Sequence, residues 1–212
     1  MSQQIQYPEI IFRENIEWCR SWVPDSNVIE LDKPRVLLIG DSIVMGYGPK
    51  VAEVMGESAS IAYVGTSRFP ADPAYLEEIS LVLRHTRFDI IHFNNGLHGW
   101  DYDEPIYAKY LEQVLDTLRA QTPDAQWALA TSTPVREKGN LGQLHERNGR
   151  VIERNESIRQ LALNEAHPLT DLYELMKGRP EHYAEDGTHY ELSGQQLQAE
   201  AVAETLRALI DI

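Results

Sequence analysis

Two short stretches, Arg35-Val36-Leu37-Leu38-Ile39 and Asp89-Ile90-Ile91-His92-Phe93, are apolar without alternation. A strand with one wet face alternates apolar and polar side chains, whereas a strand covered on both faces does not. These stretches therefore call for a sheet with helices on both sides. Three further runs fit the same sheet: Ser60-Ile61-Ala62-Tyr63-Val64, Gln126-Trp127-Ala128-Leu129-Ala130 and the weaker Pro168-Leu169-Thr170-Asp171-Leu172. Helical spacing lies between them. Asp72-Pro73 pairs a capping residue with a first-turn proline, and Leu76, Ile79 and Leu83 follow on one face. Tyr107, Tyr110, Leu111, Val114, Leu115 and Leu118 repeat at the helical period, and Ser193 to Gln196 reads as a capping box. Alternating strand and helix imply right-handed βαβ units. The expected fold is a three-layer α/β/α sandwich on a five-stranded parallel sheet.

The remaining composition narrows the function. The chain has 212 residues and a net charge of −14. Nucleic-acid binding wants clustered cations, and no basic run occurs; Arg147 to Arg154, the densest patch, alternates with Glu. One cysteine, Cys19, excludes an intrachain disulfide and a cysteine zinc site. The start of the chain lacks the basic-then-apolar pattern of a signal peptide, and no apolar stretch nears the roughly 20 residues of a membrane span. A soluble, cytoplasmic protein without a membrane partner is expected. Residues 1–33 precede the first strand, and Ile11, Ile16, Trp18 and Trp22 suggest a helical extension packed on a domain of residues 34–212. Three glycines between Arg136 and Gly149 suggest a long mobile loop.

Four strand-to-helix connections carry the chemistry. Ser42 follows Gly40-Asp41 at the C-terminal end of the first run, the edge where open parallel sheets bind ligands. It can serve as a nucleophile or merely cap the next helix. Asp186-Gly187-Thr188-His189 follows the fifth run; its spacing lets a carboxylate reach one imidazole nitrogen and leaves the other for Ser42. Asn94-Asn95-Gly96-Leu97-His98-Gly99-Trp100 follows the third run and Gly65-Thr66-Ser67-Arg68 the second, both offering donors for a developing oxyanion. Helix capping explains the Ser42 loop and turn formation each of the others, taken separately; their convergence on one edge favours a site.

These residues resemble the SGNH hydrolases, the GDSL esterase/lipase superfamily. Gly40-Asp41-Ser42-Ile43 is similar to the block carrying the nucleophile, Gly65 to the second-block glycine and Asp186-Gly187-Thr188-His189 to the closing D-x-x-H. The Ile-His-Phe-Asn-Asn-Gly-Leu-His stretch is similar to that of small bacterial members with unassigned substrates. The resemblance runs from about Pro34 to the C-terminus. It implies a flavodoxin-like fold and ester hydrolysis through an acyl-enzyme, with Ser42, Asp186 and His189 catalytic. It implies oxyanion donors at the Ser42 N–H, the Gly65 N–H and a third-block Asn. That third block departs from G-x-N-D, reading Gly96-Leu97-His98-Gly99. Register counted from Asp89 puts His98 at the Asn position; Asn95 or Asn94 reaching over is the alternative. Asp41, Asn94, Trp100 and Arg68 are candidates for contact with substrate.

Other motifs fail. Gly46-Tyr47-Gly48 lacks a third glycine, no P-loop or H-E-x-x-H occurs, and Asp101, Asp103 and Glu104 suit a helix start. No metal or organic cofactor is implied. The expected substrate is a small or short-chain acetyl ester such as an O-acetylated carbohydrate. A thioesterase, a lysophospholipase and a non-catalytic carbohydrate-binding protein on the same fold are the alternatives.

Overall fold

The computed structural model describes residues 5–210; the first four residues of the N-terminal extension and the last two of the chain lie outside it. In chain order the elements are β1 (Cys19–Trp22), β2 (Arg35–Gly40), α1 (Ser42–Met55), β3 (Ser60–Thr66), α2 (Pro73–His85), β4 (Ile90–Asn94) and α3 (Glu104–Gln121). Then come β5 (Gln126–Ala130), β6 (Arg136–Glu137), β7 (Asn140–Leu144), α4 (Asn148–Asn164), β8 (Leu169–Thr170), α5 (Leu172–Lys177) and α6 (Leu192–Ile210).

The main sheet runs β1-β3-β2-β4-β5-β8. Its five parallel strands are the five apolar runs, in the flavodoxin-like order 2-1-3-4-5. The continuous apolar run of β2 follows from its position. Val36 and Leu38 face a core shared with α1 and α6, while Leu37 and Ile39 face the opposite core with α2 and α3. Burying one such side chain is worth about 1.5–3 kcal/mol, so both faces of β2 hold the three layers together.

Three expectations need correction. The sheet has six strands rather than five, because β1 adds antiparallel to β3. The N-terminal extension contributes that strand and forms no helix among its described residues. Its apolar residues gave a false helical spacing: Ile16 and Trp22 are exposed, and all four residues of β1 are exposed. The segment after Arg136 is a β6–β7 hairpin leading into α4, not a featureless loop. The hairpin is anchored at both ends, by Arg136 N–H donating to the Gly187 carbonyl (2.7 Å) and His145 N–H donating to Val135 (2.9 Å).

The helix starts follow local chemistry. Asp72 Oδ1 accepts from Ala74 N–H beside Pro73, and Asp103 Oδ1 accepts from Ile106 N–H; each such cap is worth about 1 kcal/mol. Asp103 and Glu104 are thus used in starting α3.

Candidate active site

Ser42 is the first residue of α1, where β2 ends at the switch point between β3 and β4. Asp41 caps the helix, its Oδ1 accepting from Ile43 N–H at 2.9 Å. The first N–H groups of a helix have no acceptor within it, so the Ser42 N–H is left free of the helix ladder.

The loop after the short helical turn Pro180–His182 brings His189 up to Ser42. Tyr183 and Tyr190 close it by a single bridge with rings 4.3 Å apart, and Ala184 N–H donates to the His189 carbonyl at 2.9 Å. Inside, one carboxylate organises the whole turn. Asp186 Oδ1 accepts the Thr188 and His189 N–H groups, each at 2.8 Å. Its Oδ2 accepts from His189 Nδ1 at 2.7 Å. That fixes the ring proton on Nδ1 and leaves Nε2 as acceptor for the Ser42 hydroxyl, 2.8 Å away. Gly187 makes the turn possible at φ +75°; a Cβ there would lie 2.2 Å from the Arg136 carbonyl oxygen. Partial burial pulls the Asp186 carboxyl upward, but the His189 ring and the two N–H donors outweigh it and hold it below the usual range. The side chains of Asp186 and His189 are each 47% exposed, so the relay opens to solvent.

The expected oxyanion donors separate by geometry. Ser67 N–H donates to the Trp18 carbonyl, and residues two apart on a strand point the same way. The Gly65 N–H therefore faces Arg20 of β1, its ladder partner, and is turned away from Ser42. Gly65 instead permits close approach: a Cβ would sit 2.6 Å from Met45 Cγ and 2.9 Å from the Asp41 carbonyl. Asn95 is buried, its carbonyl accepting from Tyr107 and Ser132, and its Nδ2 is enclosed without a partner. His98 remains. Its Nδ1 pairs with Glu14 Oε1 at 2.8 Å, and Trp18 packs against the ring edge-on. Burial pulls His98 down, but Glu14 and the Asp41 charge outweigh it and raise its pKa.

Of the expected substrate contacts, three are otherwise engaged. Asp41 is fully buried as a cap, and Asn94 is buried with Nδ2 donating to the Thr131 carbonyl at 2.9 Å. Arg68 spends its charge on Glu17, Asp72 and Glu78. Trp100 does line a pocket beside Asp186. Partial burial and Glu78 push the Cys19 thiol up to about 11. Among the described residues no cluster of His, Cys, Asp or Glu suits a metal, and no helix is long and apolar enough to cross a membrane.

Sequence reasoning missed the support of the His98 loop. Arg154 is fully buried and donates to the carbonyls of Gly96 (3.0 Å), His98 (2.6 Å) and Gly99 (3.2 Å). Arg150 donates to the Trp100 carbonyl (2.8 Å) and to that of Tyr102, and Glu104 pairs with both guanidinium groups. Arg147, Arg150 and Arg154 recur at i, i+3 and i+7, a spacing that marks one helix face. Glu14 carried no such signal.

No family model and no curated protein matches the chain. Solved structures do. A member of the lipolytic protein G-D-S-L family from Veillonella parvula DSM 2008 aligns with TM-score 0.64 and 14% identity, over 80% of this chain and 96% of the other. An acetyl xylan esterase, AlAXEase, aligns with TM-score 0.59 and 19% identity, over 82% and 98%. LAE5, an α/β hydrolase enzyme from the metagenome of Lake Arreo, Spain, aligns with TM-score 0.65 and 14% identity, over 83% and 96%. The chain therefore has the α/β fold of these hydrolases. Within that group it is similar to the G-D-S-L structures over most of both chains.

Proposed function

We propose that the protein is a serine ester hydrolase of the SGNH type, working through an acyl-enzyme. The observation that carries this reading is the unbroken relay Ser42–His189–Asp186, with links of 2.8 and 2.7 Å, at the C-terminal edge of the sheet. Ser42 Oγ attacks the ester carbonyl while its proton passes to His189 Nε2. The tetrahedral oxyanion takes the Ser42 N–H and His98. His189 then gives the proton to the leaving alcohol as the C–O bond breaks. Water repeats the sequence on the acyl-enzyme, releasing the acid and restoring Ser42. Asp186 holds the imidazole tautomer and balances its cation.

His98 donates as an imidazolium. With Nδ1–H donated to the Glu14 carboxylate, a neutral ring would offer only a lone pair at Nε2.

The substrate class proposed is a small acetyl ester such as an O-acetylated carbohydrate, a reading to which the acetyl xylan esterase likeness lends support. The test is hydrolysis of p-nitrophenyl acetate and of acetylated sugars by wild type, Ser42→Ala and His189→Ala. Both variants are expected to lose about 10⁴-fold or more in kcat. A wild-type rate that survives Ser42→Ala, or a Ser42 hydroxyl that ignores a fluorophosphonate probe, removes the proposal.

A further inference from the structure

A pocket of ≈240 Å³ opens on the Asp186 flank of the relay. Its outer wall is the β6–β7 hairpin, and its lining includes Trp100, Arg136, Lys138, His145, Arg147 and Thr188. Larger hollows exist, but one lies between the ends of α2 and α3 and the other between α3 and α4, away from Ser42.

The chemistry of this lining is biased toward donors. Arg147 has no carboxylate within ion-pair distance among the described residues, and its guanidinium rests 5.2 Å from the Trp100 ring centroid. Arg154 lies 4.5 Å from the same ring, so the indole is a platform for guanidinium groups rather than an open face for a sugar. His145 Nδ1 accepts the Arg147 N–H at 3.0 Å, which puts the neutral ring's proton on Nε2 as a donor. Lys138, at the hairpin turn, is exposed and has no acidic partner among the described residues. Arg136 is buried at 4% exposure and donates to the carbonyls of Leu141 and Lys177, without a carboxylate to balance its charge. Two acids line the same pocket. Asp186 is occupied by three hydrogen bonds from its own turn, which leaves Glu137. Three permanent cations thus face two carboxylates, in a chain whose net charge is −14.

The position of the pocket says which part of a substrate it would meet. The base that protonates the leaving group is His189, so the alcohol lies on the His189–Asp186 side of Ser42. We infer that this pocket is a subsite for an oxyanion group, carboxylate or phosphate, carried on the alcohol part of the ester, with Arg147, Lys138 and His145 as its donors. The inference rests on the esterase reading for the word alcohol, but the anion site itself does not.

The experiment compares kcat/KM for O-acetylated glucose, glucuronate and glucose 6-phosphate, in wild type and in the Arg147→Gln/Lys138→Gln double variant; both side chains are exposed. One or both anionic esters should exceed the neutral ester by about tenfold in wild type, chiefly through KM. The double variant should bring that ratio close to one. Preference for glucuronate alone assigns a carboxylate, and preference for the phosphorylated ester alone assigns a phosphate. Equal kcat/KM for all three esters, or a variant that lowers all three alike, overturns the subsite. If none is hydrolysed in a Ser42-dependent way, the esterase reading falls separately. Calorimetric titration with glucuronate and with inorganic phosphate then decides: saturable binding lost in the double variant sustains the anion site, and no binding ends it.

Discussion

Asp186 shows how much one side chain can settle. It accepts two backbone N–H groups and the ring of His189, so the local turn and the tautomer have a common cause. Gly187 makes that turn affordable at φ +75°, pressed against the Arg136 carbonyl. Gly187→Ala should lower stability by about 2 kcal/mol and lower kcat more than KM, as thermal melts and steady-state kinetics together would register; an unchanged kcat would mean the turn tolerates the methyl without moving His189. His98 gives a pH prediction with a defined sign. Its raised pKa means the charged donor is present at low pH and lost as pH climbs through that value. The rate should therefore fall on the alkaline side, and Glu14→Gln, by removing the anion that holds the proton, should move that fall to lower pH. An alkaline limb that stays in place in Glu14→Gln would remove His98 as a charged donor. The pair's contribution to stability has the same direction: present below the free histidine value of about 6.5 and lost above the raised one. At this scale Ser42, Asp186 and His189 were legible because each sits in a short motif. Glu14 was not, because 84 positions separate it from His98 and nothing local marks the pairing.

At the scale of elements, α4 is the piece whose importance the sequence understated. Its alternating Arg and Glu speak only against a basic run, yet Arg154 is buried and holds three carbonyls of the His98 loop. A buried guanidinium with this many acceptors is costly to lose: Arg154→Met should destabilise by about 3 kcal/mol, since three carbonyls lose their donor while Glu104 keeps only Arg150. Denaturant unfolding would measure it, and a change under 1 kcal/mol would show that the loop holds itself. Strand β1 was missed for the opposite reason. Its four residues are all exposed, so they carry no apolar alternation, and only the edge of β3 supplies the partner. The five parallel strands were legible because being covered on both faces leaves an uninterrupted apolar run in the sequence itself.

For the whole molecule, the sheet is the shared wall of two cores: α1 and α6 lie against one face, α2 and α3 against the other. Neither core can be lost without stripping β2 and β4. Heating should accordingly give coincident transitions by far-ultraviolet circular dichroism and tryptophan fluorescence; separated midpoints would mean that one layer melts alone. Topology also orders the assembly of the site in time. Ser42 and His189 are 147 positions apart, and β2, which ends two residues before Ser42, is the first of the parallel set to be made. A ribosome-bound chain that already holds β2, α1 and β4 has Ser42 in place, but neither Arg154, which holds the His98 loop, nor His189, which pairs with the hydroxyl. The Ser42–His189–Asp186 relay can close only after the last sixth of the chain has emerged and α6 has docked on α1. A nascent polypeptide therefore carries a Ser42 hydroxyl without its imidazole partner through most of its synthesis, and on the proposed function the first turnover marks the completed fold.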